Sequence, residues 1–114
     1  VSHGKFRNSD FIVAERSRRF IGKLRLRQTD ETTVVLDPPV VLNDFDFYKV
    51  ARALVEDAVK ITRADGRTES LVVALDQKNR HHRTLRRAYE HLGFAVLKEK
   101  PDGFLETEVF VLAL

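Results

Sequence analysis

The spacing of apolar residues switches between a period near two and a period near 3.6 along this chain, and the switches divide it into elements. Residues 1–9 are polar and are expected to fray as a flexible N-terminal segment. Residues 11–15 and 20–27 read as strands, the second with Ile21, Leu24 and Leu26 set against Lys23, Arg25 and Arg27. Residues 28–31 carry turn chemistry, and the β-branched run 32–36 predicts a central strand. Asp37-Pro38-Pro39 interrupts it, because proline has no N–H to give a ladder, and pairing resumes at residues 40–42. A helix from an Asn43 or Asp44 cap to about Arg63 follows, with Phe47, Val50, Ala51, Leu54, Ala58 and Ile61 on its apolar side. Asp65-Gly66 stops it. Residues 71–75 (LVVAL) are apolar throughout, the pattern of a strand covered on both faces. A second helix spans about residues 80–92, its stripe being Leu85, Ala88, Tyr89 and Leu92, and Gly93 suits the left-handed position after its last turn. Strands at 94–99 and 107–114, joined around Pro101-Asp102-Gly103, complete a β-β-β-α-β-α-β-β order. The fold class is therefore α/β (α+β): a mixed sheet of six to eight strands with two helices, residues 10–114 forming a single layer-packed domain.

Composition narrows the chemistry. The 114 residues, 43% of them apolar, suffice for one core, and the lack of cysteine excludes disulfides, thiolate metal sites and a thiol nucleophile. The net charge of +3, from 20 basic and 17 acidic residues, is too small for a dedicated nucleic-acid protein. No apolar run approaches the ~20 residues of a membrane span. A start at Val1 and the absence of methionine predict that flanking segments are missing.

Most candidate sites have a plain structural explanation. His81 and His82 are adjacent, so on a helix they point about 100° apart and do not share a metal ion readily. Lys78, Arg80, Arg83, Arg86 and Arg87 form the densest basic run, which by itself is a solvated surface; aromatic residues for stacking on bases are not interleaved with it. Glu56 and Asp57 read as an ordinary polar helix face, and Tyr89 as core. Four serines without a plausible triad leave nucleophilic catalysis unsupported.

The element order, with a late helix ending Ala88-Tyr89-Glu90-His91-Leu92-Gly93-Phe94, resembles the second half of a GNAT acyltransferase. The resemblance implies that Tyr89 protonates a departing thiolate. It also implies a glycine-rich turn before the long helix, where free backbone N–H groups bind the pyrophosphate of coenzyme A. Here that turn is Leu42-Asn43-Asp44-Phe45-Asp46, with no glycine and two carboxylates.

With that mismatch, the chain also resembles ornithine decarboxylase antizyme, on Lys78-Asn79-Arg80, Arg83, Arg87, Leu92-Gly93-Phe94, Leu97 and the acidic pair Glu56 and Asp57. It departs from the antizyme pattern by one residue fewer between Lys78 and Gly93, an insertion around 64–70, Ala53 at an acidic position and Phe45 at a basic one. This resemblance implies a cytoplasmic, and also nuclear, non-enzymatic inhibitor without cofactor or metal, monomeric when free. Its partners would be the ornithine decarboxylase monomer, antizyme inhibitor and, indirectly, the proteasome, but neither nucleic acid nor membrane. Homodimerisation of the decarboxylase would be blocked, its degradation promoted and polyamine levels thereby regulated. Glu56, Asp57, Lys78, Arg80, Arg83, Arg87 and Leu97 would form the partner-binding face. The alternative is a GNAT-family acyl-CoA-dependent N-acyltransferase with an atypical cofactor loop.

Overall fold

A computed structural model of the chain describes residues 2–6, 9–42, 45–97 and 107–114. Among them run β1 (Ser2–Phe6), β2 (Ser9–Arg16), β3 (Arg19–Gln28), β4 (Thr33–Leu36), β5 (Val40–Val41), α1 (Phe47–Asp65), β6 (Ser70–Asp76), α2 (His82–His91), β7 (Ala95–Val96) and β8 (Thr107–Ala113). One sheet takes them in the order β1-β2-β3-β4-β6-β8-β7, with β5 also paired to β3. The mixed α+β architecture expected from the pattern is thus present. Ser2–Phe6 pairs with β2 from Phe6↔Ser9 to Ser2↔Val13, where the polar sequence alone suggested fraying. The Asn43 and Asp44 caps, the end of the 94–99 strand and the loop around Pro101-Asp102-Gly103 lie outside the described residues.

The β2–β3 hairpin turns on Ser17 and Arg18, both with positive φ (53° and 64°), as a two-residue loop needs to match strand twist. A register shift follows at Ala14/Glu15, where Ala14 faces Gly22 and Glu15 faces Phe20. Ile21 is the extra residue of this bulge, which is why the buried positions of β3 read Ile21, Gly22, Leu24, Leu26 rather than strictly alternating. Gly22 is needed there: a Cβ would stand 2.9 Å from the Val40 carbonyl oxygen and 3.2 Å from Val50 Cγ1.

Both helices pack against one face of the sheet. That core holds Ile12, Leu24, Leu36, Leu71, Val73, Leu75 and Phe110 from the strands, Leu54, Val55 and Ala58 from α1, and Leu85 and Tyr89 from α2. The turn into α1 differs from expectation in its cap: Asp46, extended at φ −62° and ψ 105°, accepts a hydrogen bond from the Lys49 N–H. Gly66 ends α1 at φ 73°, and Gly93 follows α2 at φ 96°. The expectation that residues 71–75 are covered on both faces is corrected. In β6 Leu71, Val73 and Leu75 are buried, whereas Val72 is half-buried and Ala74 exposed. Val72 lies in a cross-strand row with Val35 and Val111, which are half-buried too. Their hydrophobicity reflects sheet propensity on a face that carries no helix among the described residues.

Candidate active site

The proline interruption parts two neighbouring strands of the sheet. β4 runs parallel to β6 from Thr33↔Ser70 to Leu36↔Val73. At Asp37 the chain stays with β3, donating its N–H to the Arg25 carbonyl, and β5 then pairs with Gly22 and Lys23. β6 continues to Asp76 paired, among the described residues, with β8 alone. Beyond Val73, then, β6 has lost its neighbour on that side, and the sheet opens between β5 and β6 at the C-terminal ends of its parallel strands.

The first residues of the two helices meet beside this opening. Phe47 stacks on His81 with ring centroids 3.7 Å apart and planes 10° from parallel. Burial, with the charge of Arg80 adding to it, holds the His81 imidazole below its ordinary pKa and so favours the neutral ring. Further along α2, the Arg87 guanidinium lies over the ring of Tyr48, the residue after Phe47, 4.5 Å from its centroid, tying α2 to α1. The β6–α2 turn is built by side-chain acceptors: Asp76 takes the Lys78 N–H and Asn79 the His81 N–H, each at 2.8 Å.

Tyr89 sits on α2 with no exposed surface, its ring 5.6 Å from Phe94 and 5.5 Å from Phe110. Its hydroxyl is buried and has no hydrogen-bond partner among the described residues. Burial pushes the phenol pKa well above its usual range, so the group stays protonated and holds a proton it has nothing to give to.

A second polar cluster joins α2 to β8. Glu108, 8% exposed, contacts His82 Nε2 through one oxygen and Arg86 through the other at 3.2 Å, while Arg86 also bonds Glu90 at 2.8 Å. Sequence reasoning missed Glu108 because His82 lies 26 residues away; its only local signal is an acid at an inward position of an otherwise apolar strand.

The residues expected to form a partner-binding face fall in three places. Arg83 and Arg87 line the outside of α2, with Lys78 and Arg80 in the turn before it. Glu56 and Asp57 are half-buried on α1, Glu56 facing Arg52 at 3.7 Å. Leu97, 46% exposed, follows the edge strand β7 and donates its N–H to Val109. Among the described residues no group of three or more His, Asp or Glu could hold a metal ion, and no helix is long and apolar enough to cross a membrane.

No protein-family model and no curated protein sequence matches the chain. Solved structures do. A GNAT-family acetyltransferase from Desulfovibrio desulfuricans superposes at TM-score 0.76 with 20% identity, over 93% of this chain and 69% of its own. The aminoglycoside 6′-acetyltransferase type Ii matches at 0.76 with 17% identity, over 93% and 69%. A GNAT-family acetyltransferase from Elizabethkingia anophelis, solved with acetyl-CoA bound, matches at 0.77 with 15% identity, over 95% and 78%.

These neighbours correct the antizyme reading: they are acetyltransferases, and the antizyme-like signals have local explanations. Asn79 is a turn residue, Gly93 a helix stop, and Glu56 pairs along its own helix. The non-enzymatic inhibitor and its implied partners (ornithine decarboxylase, antizyme inhibitor and the proteasome) fall with that reading. At these identities the likeness establishes architecture, and the chain has the fold of the GNAT acetyltransferases.

Proposed function

We propose that this chain is the donor-handling part of an N-acyltransferase, moving an acyl group from a thioester of the coenzyme A class to an amine. The observation that carries the proposal is the Tyr89 hydroxyl, buried and unpartnered on the late helix of an acetyltransferase fold. An orphaned buried donor is destabilising unless something supplies an acceptor, and a thioester sulfur would do so.

In the transfer, the amine nitrogen attacks the thioester carbonyl carbon, forming the C–N bond. The C–S bond then breaks with its electron pair on sulfur, Tyr89 gives its proton to that sulfur, and the phenolate regains a proton from the ammonium. The raised phenol pKa does not prevent this, because the same dry surroundings penalise a thiolate and favour departure as the neutral thiol.

The unpartnered Tyr89 hydroxyl supports the thiol end of coenzyme A in this reading; the turn before α1 does not support its pyrophosphate end. The turn before α1 holds no glycine, and the Asp46 carboxylate already accepts the Lys49 N–H at 3.1 Å, leaving negative charge where an anion would bind. No binding of pyrophosphate at the start of α1 is therefore part of the proposal.

The test is thiol release from acetyl-CoA in the presence of a panel of primary amines. The wild-type chain should release thiol, and Tyr89→Phe should lower kcat by about 10²-fold or more while leaving KM for the donor within a few fold. If no amine elicits thiol release, and acetyl-CoA does not raise the melting temperature, the proposal fails.

A further inference from the structure

The mismatch at α1 leaves the phosphates of the donor without a grip, and the outer surface of α2 offers one; this inference rests on the acyltransferase reading. Arg83 and Arg87 lie one turn apart on α2, facing away from the buried Leu85, Ala88 and Tyr89, and Arg80 lies in the turn two residues before the helix; all three are exposed. Arg80 and Arg83 form no ion pair with any described residue. Arg87 leans across the seam onto Tyr48 in the first turn of α1. The three arginines begin beside His81, which meets Phe47 next to the opening between β5 and β6. No side chain among the described residues caps α2, in contrast to α1 with its Asp46 cap, and its first turn contains no acid.

We propose that Arg80, Arg83 and Arg87 hold the phosphate groups of the acyl-coenzyme A donor, in place of the turn before α1. Guanidinium groups meet phosphate oxygens two at a time, and a group of three can engage more than one phosphate along a flexible donor. The thiol arm would then run from the start of α2 into the opening between β5 and β6, toward Tyr89.

The experiment is calorimetric titration of the full chain with coenzyme A and with pantetheine, which has the same thiol arm and no phosphates. Coenzyme A should bind at least about tenfold more tightly, and the difference should shrink as salt is raised. The double variant Arg80→Ala/Arg83→Ala should weaken coenzyme A roughly tenfold or more and leave pantetheine unchanged. A control removing two exposed cations near the far end of α1, Lys60→Ala/Arg63→Ala, should change neither by more than about twofold. Thermal melts of both exposed-surface variants check that each is folded. The grip on α2 is overturned if the double variant binds coenzyme A like the wild type, if the control loses as much, or if pantetheine binds as tightly as coenzyme A. The last result leaves the acyltransferase reading standing. If the wild type binds neither compound, that reading falls and takes the grip with it.

Discussion

The hydroxyl of Tyr89 is buried without an acceptor, a state that costs a fold roughly 1–3 kcal/mol relative to phenylalanine. Tyr89→Phe should therefore melt several degrees higher than the wild type even as it loses thiol-releasing activity, since about 1 kcal/mol moves a domain of this size by roughly 4–8 °C. A lower melting temperature would mean that the hydroxyl has a structural partner, and would remove the main support for its catalytic role. His81 gives a second residue-level expectation. Its pKa is lowered from 6.5 by burial and by Arg80, so the folded state binds fewer protons than the unfolded state as pH falls through that value. Stability linked to His81 is hence full above the unfolded pKa and declines as pH drops below 6.5 toward the folded value. In urea melts between pH 8 and pH 5, His81→Phe should keep the stack on Phe47 and lose less stability on acidification than the wild type; parallel curves would overturn this. At this scale the position of Tyr89 on an apolar stripe was legible from helical spacing. The orphaned state of its hydroxyl was not, because what surrounds it comes from Phe94 and from Phe110 on β8.

Elements were legible wherever their pattern is local. The proline break, the αL stops at Gly66 and Gly93, and the burial stripe of α2 follow from backbone chemistry within a few residues. Two features escaped for the opposite reason. The extra residue at Ile21 depends on pairing with β2, and burial of Val55, Val59 and Thr62 on α1 depends on where the sheet and α2 lie. Thr62 is accommodated by giving its hydroxyl to the Ala58 carbonyl at 2.8 Å within its own helix. The β2–β3 turn carries strain, since Ser17 and Arg18 both hold a left-handed conformation that favours asparagine and glycine. Ser17→Asn/Arg18→Gly should raise stability by about 1 kcal/mol in denaturant unfolding with no change in donor affinity. A destabilised variant would show that this turn is held by side-chain contacts rather than strained.

At the scale of the whole molecule, the opening between β5 and β6 exists because one strand changes partners: β4 pairs with both β3 and β6, whereas β5 keeps only β3. Ligand entering there should couple to the entire fold. At about 100 times its dissociation constant, acetyl-CoA should add roughly 2.7 kcal/mol of stability, seen as a melting temperature higher by on the order of 10 °C. Pantetheine at the same concentration should give a smaller shift, and a flat response to both would count against the opening as a donor site. The amino-acid sequence by itself determined the kind and order of the elements from residue 11 onward, the interruption at Asp37-Pro38-Pro39, and the absence of a glycine cradle before α1, whereas β1 emerged only through its pairing with β2. Periodicity, proline and glycine act over a few residues, so they are visible without a fold. Only the tertiary structure decided that both helices share one face, that Val72 and Ala74 of β6 point to the other, and that the Tyr89 hydroxyl is buried without a partner among the described residues while Arg80, Arg83 and Arg87 stay in solvent. Those outcomes depend on which distant segments meet, and the same Lys-Asn-Arg and Leu-Gly-Phe segments fit an inhibitor surface or an enzyme's late helix until the sheet places them.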